Sequence, residues 1–291
     1  MKPGIETSFS TVATGANATL DEGTTLLSIV LSLRPLQEGR RPRPVARAAH
    51  ALLLQAVAWS DPELAEAIHS SSGPRPFTVS NLFEWNGRPA IRFTALSGGV
   101  AQALARALDQ TARGPLAPGA ILDLDHEPYR VDQPVVHNDA HPWAGQASYG
   151  TMAFPWVYGS YAPEVRLTLQ FVSPTTFRSH EMNHPTPLPT WVFGSLLEKW
   201  NAFAPVPLPE TVRGFAATRM ALSRYRLETM RVPFKGGSIK FGAVGVATYT
   251  APRPDEATMR ALNLLADFAF YAGVGAGTTM GFGQCRRIPR F

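Results

Sequence analysis

Phe77-Thr78-Val79-Ser80-Asn81-Leu82-Phe83-Glu84-Trp85-Asn86-Gly87-Arg88-Pro89-Ala90-Ile91-Arg92-Phe93-Thr94-Ala95-Leu96 is the stretch on which the fold turns. Two runs rich in aromatic and β-branched residues meet at Asn86-Gly87, a dipeptide that accepts positive φ at both centres of a two-residue hairpin. It predicts paired strands over Phe77 to Trp85 and Ala90 to Leu96. On the N-terminal side, Thr25 to Leu33 is short and continuously apolar, as a buried strand is. After the basic, proline-punctuated loop Arg34 to Pro44, a helix is expected from about Val45 to Trp59, with Ala49, Leu52, Leu53, Ala56 and Trp59 on one stripe. Asp61 can cap a second, short helix whose first turn suits Pro62, and Ser70-Ser71-Ser72-Gly73-Pro74 stops it near His69. On the C-terminal side, Gly98 to Arg113 reads as helix by its alanine and leucine content, and Ala120 to Val136 as one or two strands around Glu127-Pro128. Strand, helix, strand, strand, helix, strand is the order of a ferredoxin-like unit.

The second half repeats that order. A proline-, histidine- and glycine-rich segment, about His137 to Ser148, reads as a linker. A strand at Val165 to Val172, a helix over 188–203, strands around 215–232 and 238–250, a helix over 255–271 and a last short strand follow. The expected fold is therefore α+β, two tandem ferredoxin-like (RRM-like) domains over 1–145 and 146–291, with 1–23 a loose, aperiodic leader.

Composition bounds the functional classes. A chain of 291 residues, 45% of them hydrophobic, has material for two cores, and no run approaches the roughly 18 apolar residues of a membrane span. The single cysteine, Cys285, excludes an internal disulfide and reads as a small buried hydrophobe. The first residues lack a secretory layout, so the expectation is a cytoplasmic protein with no membrane partner. A net charge of +5 and a pI near 9.6 suit a polyanionic partner. The cations gather at Arg40-Arg41-Pro42-Arg43, from Arg219 to Arg231, at Lys235 and Lys240, and at Arg286-Arg287-Ile288-Pro289-Arg290.

Near the C-terminus lies a glycine track, Gly273-Val274-Gly275-Ala276-Gly277-Thr278-Thr279-Met280-Gly281-Phe282-Gly283. Such a backbone turns tightly, adopts positive φ and can present bare N–H groups to a phosphate or sugar edge, although a glycine-rich turn is also a common structural connection. It lacks the Gly-Lys-Ser/Thr ending of a P-loop and the spacing of a dinucleotide fingerprint. With its Met-Gly-Phe-Gly core and the basic strand after it, the track resembles the C-terminal signature of the repeat-associated (RAMP) RNA-binding superfamily, and more narrowly the CRISPR precursor-RNA-processing endoribonucleases. A second stretch, Pro62 to His69 followed by Gly73 to Thr78, resembles the segment that carries that family's catalytic histidine and, a few positions on, a basic residue. Val165 to Phe171 with Ser173 to Arg178 resembles the opening strand of the family's second domain.

The resemblance implies the same fold, and it places His69 as the catalytic histidine and Arg75 as the downstream base. Some members carry a tyrosine on the first helix where Leu54 stands here. His50, one turn earlier on that helix, is a substitute, since residues four apart share a face. Cleavage of RNA by its own 2′-hydroxyl needs a base, an acid for the leaving 5′-oxygen and a cation for the phosphorane, and no metal or other cofactor. His69 is assigned as general acid or base, Arg75 as phosphorane stabiliser and His50 as the second proton-transfer group. Gly273, Gly275, Gly277, Gly281, Gly283, Lys235, Lys240 and Arg178 are assigned to RNA binding. The implied substrate is CRISPR repeat RNA in precursor crRNA, cut to a 5′-hydroxyl and a 2′,3′-cyclic phosphate. A homodimer and a CRISPR effector complex stand as further assemblies.

The alternative reading is a non-cleaving guide-RNA scaffold subunit of the same superfamily. A general single-stranded RNA binder would need exposed aromatics, and Phe77, Phe93 and Phe171 read instead as core. His126, His137, Asp139 and His141, with Asp123 and Asp125, are metal-type residues, but no helix fixes their spacing and they read as polar loops. His180 and His184 read likewise.

Overall fold

A computed structural model describes residues 20–37, 45–159, 161–180, 182–233 and 239–289. The first half opens with β1 (Leu26–Pro35), α1 (Ala46–Ser60) and α2 (Pro62–Ser70). It continues with β2 (Phe77–Val79), β3 (Phe83–Trp85), β4 (Arg88–Ala95) and α3 (Gly98–Ala107), then β5 (Ile121–Asp123), β6 (Pro128–Val135) and β7 (Gly145–Ala147). The sheet runs β2-β4-β1-β6-β5 with antiparallel neighbours, which is the ferredoxin-like order with β5 added at one edge. After α4 (Tyr149–Val157) come β8 (Arg166–Thr175), a small hairpin of β9 (Phe177–Ser179) and β10 (Met182–His184), α5 (Pro189–Phe203) and α6 (Thr211–Arg219). Then β11 (Ala221–Pro233), β12 (Ile239–Thr250), α7 (Glu256–Ala272) and β13 (Cys285–Arg287) complete a second antiparallel sheet in the order β11-β12-β8-β13. The fold is thus two ferredoxin-like units in tandem, as the element order predicts.

β1 shows why its sequence is continuously apolar. Leu27, Ile29, Leu31 and Leu33 enter the core beneath α1 and α3, while Leu26 on the opposite face joins the core of the second half. Both faces are covered, so alternation disappears. Phe77 and Phe93 lie in the first core, and Phe171 and Cys285 in the second.

Several local expectations change. The strand expected over 77–85 is two strands, because Val79 pairs with Phe93 but Phe83 pairs with Ala90, leaving three residues opposite two. This bulge frees Asn81, whose Oδ1 accepts from the Ala46 amide at 3.1 Å and so caps α1 from a distance. The helix expected to Arg113 stops at Ala107, since the Asp109 carboxylate draws in the Thr111 and Ala112 amides and Arg113 takes a positive φ of 53°. The expected linker over 137–148 is woven into the first sheet, with β7 pairing to Leu26, Leu27 and Ser28 of β1. The region expected as strand from about 215 begins as α6, which buries Val212 and Ala216 four residues apart, and β11 starts at Ala221. α4 was not foreseen by pattern; Ser148 and Thr151 form the capping box that starts it. Of the expected leader, residues 1–19 lie outside the described residues.

The two halves are locked by one buried cation. Arg92, 2% exposed, donates from Nε to the Ser28 hydroxyl (2.7 Å) and the Trp143 carbonyl (3.0 Å). Its Nη1 reaches Gln284 Oε1 at 2.5 Å and its Nη2 the Phe270 carbonyl at 2.6 Å. The guanidinium lies over the Trp143 and Phe270 rings, and full burial lowers its pKa to about 9. Thr94 Oγ1 donates to the Tyr271 carbonyl beside it.

Candidate active site

The α1–α2 corner places the three expected catalytic side chains. Asp61 caps α2 by accepting from the Leu64 amide at 3.0 Å, and α2 ends at Ser70 with His69 exposed in its last turn. Arg75 folds back on that end: its Nη1 donates to the Ile68 carbonyl, the Ser71 carbonyl (2.7 Å) and the Ser71 hydroxyl. A cation over the last carbonyls of a helix is favoured by the dipole, so the α2 terminus positions Arg75 and Arg75 in turn closes α2.

His50 projects from α1, half-buried, with its ring 5.3 Å from that of Phe77. Its Nδ1 lies 3.1 Å from the Thr279 carbonyl. A carbonyl only accepts, so Nδ1 carries the proton and Nε2 holds the lone pair in the neutral ring. Burial lowers the His50 pKa, the Thr279 carbonyl opposes that shift, and the charges of Arg75 and His69 lower it further. His69 and Arg75 therefore lie within electrostatic reach of His50, and Thr279 brings the glycine track to His50.

The track itself departs from the expected row of bare amides. Its glycines do take positive φ, at 59°, 78°, 77°, 79° and 69° for Gly273, Gly275, Gly277, Gly281 and Gly283. Yet most of its N–H groups are spent inside the protein. Gly273 donates to Ala269, Val274 to Gly283, Ala276 to Thr176, and Gly283 to Pro174. The Gly275 amide donates to Ser195 Oγ at 3.1 Å. A Cβ on Gly275 would fall on the Thr176 carbonyl oxygen, and one on Gly281 would sit 2.6 Å from Asn81 Nδ2 and 3.0 Å from the Ala46 Cβ. The glycines let this turn pack closely against α1 and β8 as well as against any ligand.

Of the expected RNA-binding cations, Lys240 lies 5.9 Å over the Phe282 ring of the track, and its pKa is lowered by burial first and then by the charge of Arg178. Those two and the track thus form one surface. Lys235 lies outside the described residues. The metal-type loop residues do not converge: His141 is buried edge-on against Trp85 at 4.6 Å, His137 contacts Gln146, and His184 packs on Trp191. Among the described residues no group of three or more His, Cys, Asp or Glu could hold a metal ion.

Residues that sequence reading missed act through this frame. Thr279 contributes a main-chain carbonyl, which no side-chain pattern marks. Lys199 donates to the carbonyls of Ala272 (2.8 Å) and Gly273 (3.2 Å) and to Thr278 Oγ1 (3.3 Å). Arg92 did leave a signal, being a charge inside an otherwise apolar run, Ala90-Ile91-Arg92-Phe93, whereas Lys199 follows Glu198 in Leu196-Leu197-Glu198-Lys199-Trp200 and does not stand out.

A tandem ferredoxin-like protein with one histidine held against a glycine-rich turn, and a second histidine and an arginine within electrostatic reach of the first, is of the repeat-associated RNA-processing class. The model of the family described as CRISPR-associated endoribonuclease Cas6 matches residues 169–285. A Thermus Cas6 solved as a product complex is similar at 30% identity with a TM-score of 0.75, over 91% of this chain and 100% of its own. A second Cas6, from Thermus thermophilus and also solved as a product complex, is 27% identical with a TM-score of 0.78, over 91% and 99%. A Cas6-related protein from Pyrococcus furiosus, 13% identical with a TM-score of 0.58 over 91% and 100%, shares the fold. No curated protein sequence matches significantly. The chain belongs to the Cas6 family of CRISPR-associated endoribonucleases.

Proposed function

We propose that this protein cuts precursor CRISPR transcripts once within each repeat, without a metal ion, to release guide RNAs. The 2′-oxygen bonds to the adjacent phosphorus, the bond from phosphorus to the 5′-oxygen breaks, and the products carry a 2′,3′-cyclic phosphate and a 5′-hydroxyl. One histidine takes the 2′-hydroxyl proton and another group returns a proton to the 5′-oxygen. His69 is one of these groups and His50 the other, while Arg75 offsets the charge that develops on the phosphorane. His50, neutral at pH 7 with its lone pair on Nε2, suits the base role, and His69, exposed at the helix end, is open to substrate.

The observation that carries this reading is the contact of His50 Nδ1 with the Thr279 carbonyl, across 229 residues of chain. It sets the glycine turn of the second half against His50 of the first, which supports a reading in which one RNA strand touches both. In this proposal the two halves, meeting after β7 rather than at the expected 145/146 boundary that falls inside it, divide the work, the first supplying proton transfer and the second, with Arg178, Lys235, Lys240 and the glycine track, the grip. The reading extends to the cytoplasm, and to a homodimer or an effector complex as the assembly that uses the product. No described helix is long and apolar enough to cross a membrane.

The test is incubation of the purified protein with end-labelled repeat RNA in EDTA. A single cut, lost when the nucleotide 5′ of it is 2′-deoxy, is the expected result. Cleavage of the deoxy RNA overturns the 2′-hydroxyl mechanism, dependence on added metal overturns metal independence, and tight binding without cleavage assigns a scaffold instead.

A further inference from the structure

We propose that Lys199 is a positioning residue for cleavage: from beneath the glycine turn, with Ser195 one helical turn earlier on α5, it fixes the Thr279 carbonyl that orients His50. This rests on the reading of His50 as a proton-transfer group. The geometry is a clamp of three contacts. Ala272 and Gly273 supply carbonyls left over at the end of α7, and Thr278 supplies the hydroxyl next to Thr279. Ser195 Oγ holds the Gly275 amide between them. With both ends of the turn tied to one rigid helix, the Thr279 carbonyl has one place to point.

The cost shows that an ordinary helix cap is a poor description. Lys199 is 8% exposed, its three partners are neutral oxygens, and burial lowers its pKa to about 7, with Glu198 on the same helix the charge that opposes the shift, while the thiol of Cys285 on β13 is itself kept neutral by burial. Both protonation states serve the clamp. The ammonium donates to all three oxygens, whereas the neutral amine donates to the two carbonyls and accepts from the Thr278 hydroxyl. The turn therefore stays fixed across the range in which His50 titrates, which is what a positioning group for a titrating base requires.

The test compares Lys199→Met, which keeps the stem and loses the donors, with Lys199→Arg, which keeps donors. The first readout needs no RNA: the His50 titration followed by NMR, assigned by its absence in His50→Ala. Losing the Thr279 carbonyl removes an interaction that raises the His50 pKa, so its midpoint falls in Lys199→Met and recovers toward wild type in Lys199→Arg. The second readout is single-turnover cleavage, expected to fall about 10- to 100-fold in Lys199→Met, as for a displacement of about 1 Å at a reacting group, with the Kd for uncleavable deoxy repeat little changed. Should Lys199→Met not fold, Thr278→Val removes one contact of the clamp and is read the same way. A folded variant with the wild-type His50 midpoint overturns the proposal. A shifted midpoint together with a His50→Ala enzyme that cuts at the wild-type rate leaves Lys199 orienting His50 and overturns the catalytic reading of His50 instead.

Discussion

The two halves share one topology and use it in opposite ways. In the first, the proposed working end is the terminus of α2, nine residues long with Ile68 its one buried residue, and the chemistry proposed there falls to side chains. In the second, it is the turn after α7, seventeen residues long with eleven buried, and the role proposed for it falls to backbone held by glycine geometry. A lightly packed helix end leaves the His69 imidazole exposed, with the Arg75 guanidinium folded over its last carbonyls. A heavily packed helix end gives a turn that cannot drift. Joining them lets a fixed carbonyl orient a histidine that its own half leaves with one ring contact, to Phe77.

The largest effect that sharpens this contrast is at His69. Proton transfer by a positioned side chain contributes about 10²- to 10⁴-fold, so His69→Ala loses that factor in single-turnover cleavage. Binding survives, since most affinity comes from Lys and Arg at phosphates. A wild-type rate in His69→Ala would remove the first half from the chemistry.

Next is the joint between the halves. Arg92→Ala leaves the Gln284, Trp143 and Phe270 oxygens facing a buried void, and each buried acceptor left unsatisfied costs about 1–3 kcal/mol. Urea unfolding measures it, and a loss under about 1 kcal/mol would mean that the halves dock without Arg92.

The glycine turn separates packing from conformation. Gly275→Val meets both positive φ and the Thr176 carbonyl, and its folding loss exceeds that of Gly277→Ala, whose Cβ finds Phe282 at 3.4 Å and which costs about 1–2 kcal/mol from φ alone. Equal losses would show that the turn relaxes, against the rigidity assigned to the second half.

The smallest effect is that of pH. The His50 pKa is depressed in the folded protein, so between that value and the ordinary 6.5 the unfolded chain binds more protons. Stability falls as pH drops through that window, and cleavage falls with it as the base charges. His50→Gln removes the stability slope; a slope that persists in urea titrations at pH 5 and 7 belongs to another group.

Much of the fold was legible because its signals are local. Asn86-Gly87 marks a hairpin whatever surrounds it, Asp61-Pro62 starts a helix from its own side chain and ring, and glycines that later take positive φ stand out as glycines. The end of α2, with His69 and Arg75 six residues apart, was readable for the same reason. The bulge at Ser80 to Leu82, the strand inside the supposed linker and the start of α6 were not, since each is decided by what the segment packs against.

By itself the sequence determined two ferredoxin-like units, a basic chain and the residue types of the site. Only the tertiary structure decided that Thr279 orients His50, that Arg92 joins the halves and that Lys199 holds the turn. Their partners lie up to 229 residues away and are often main-chain oxygens, identical at every position of the chain. Backbone preference is written within a few residues, whereas which carbonyl meets which side chain depends on how two finished surfaces dock.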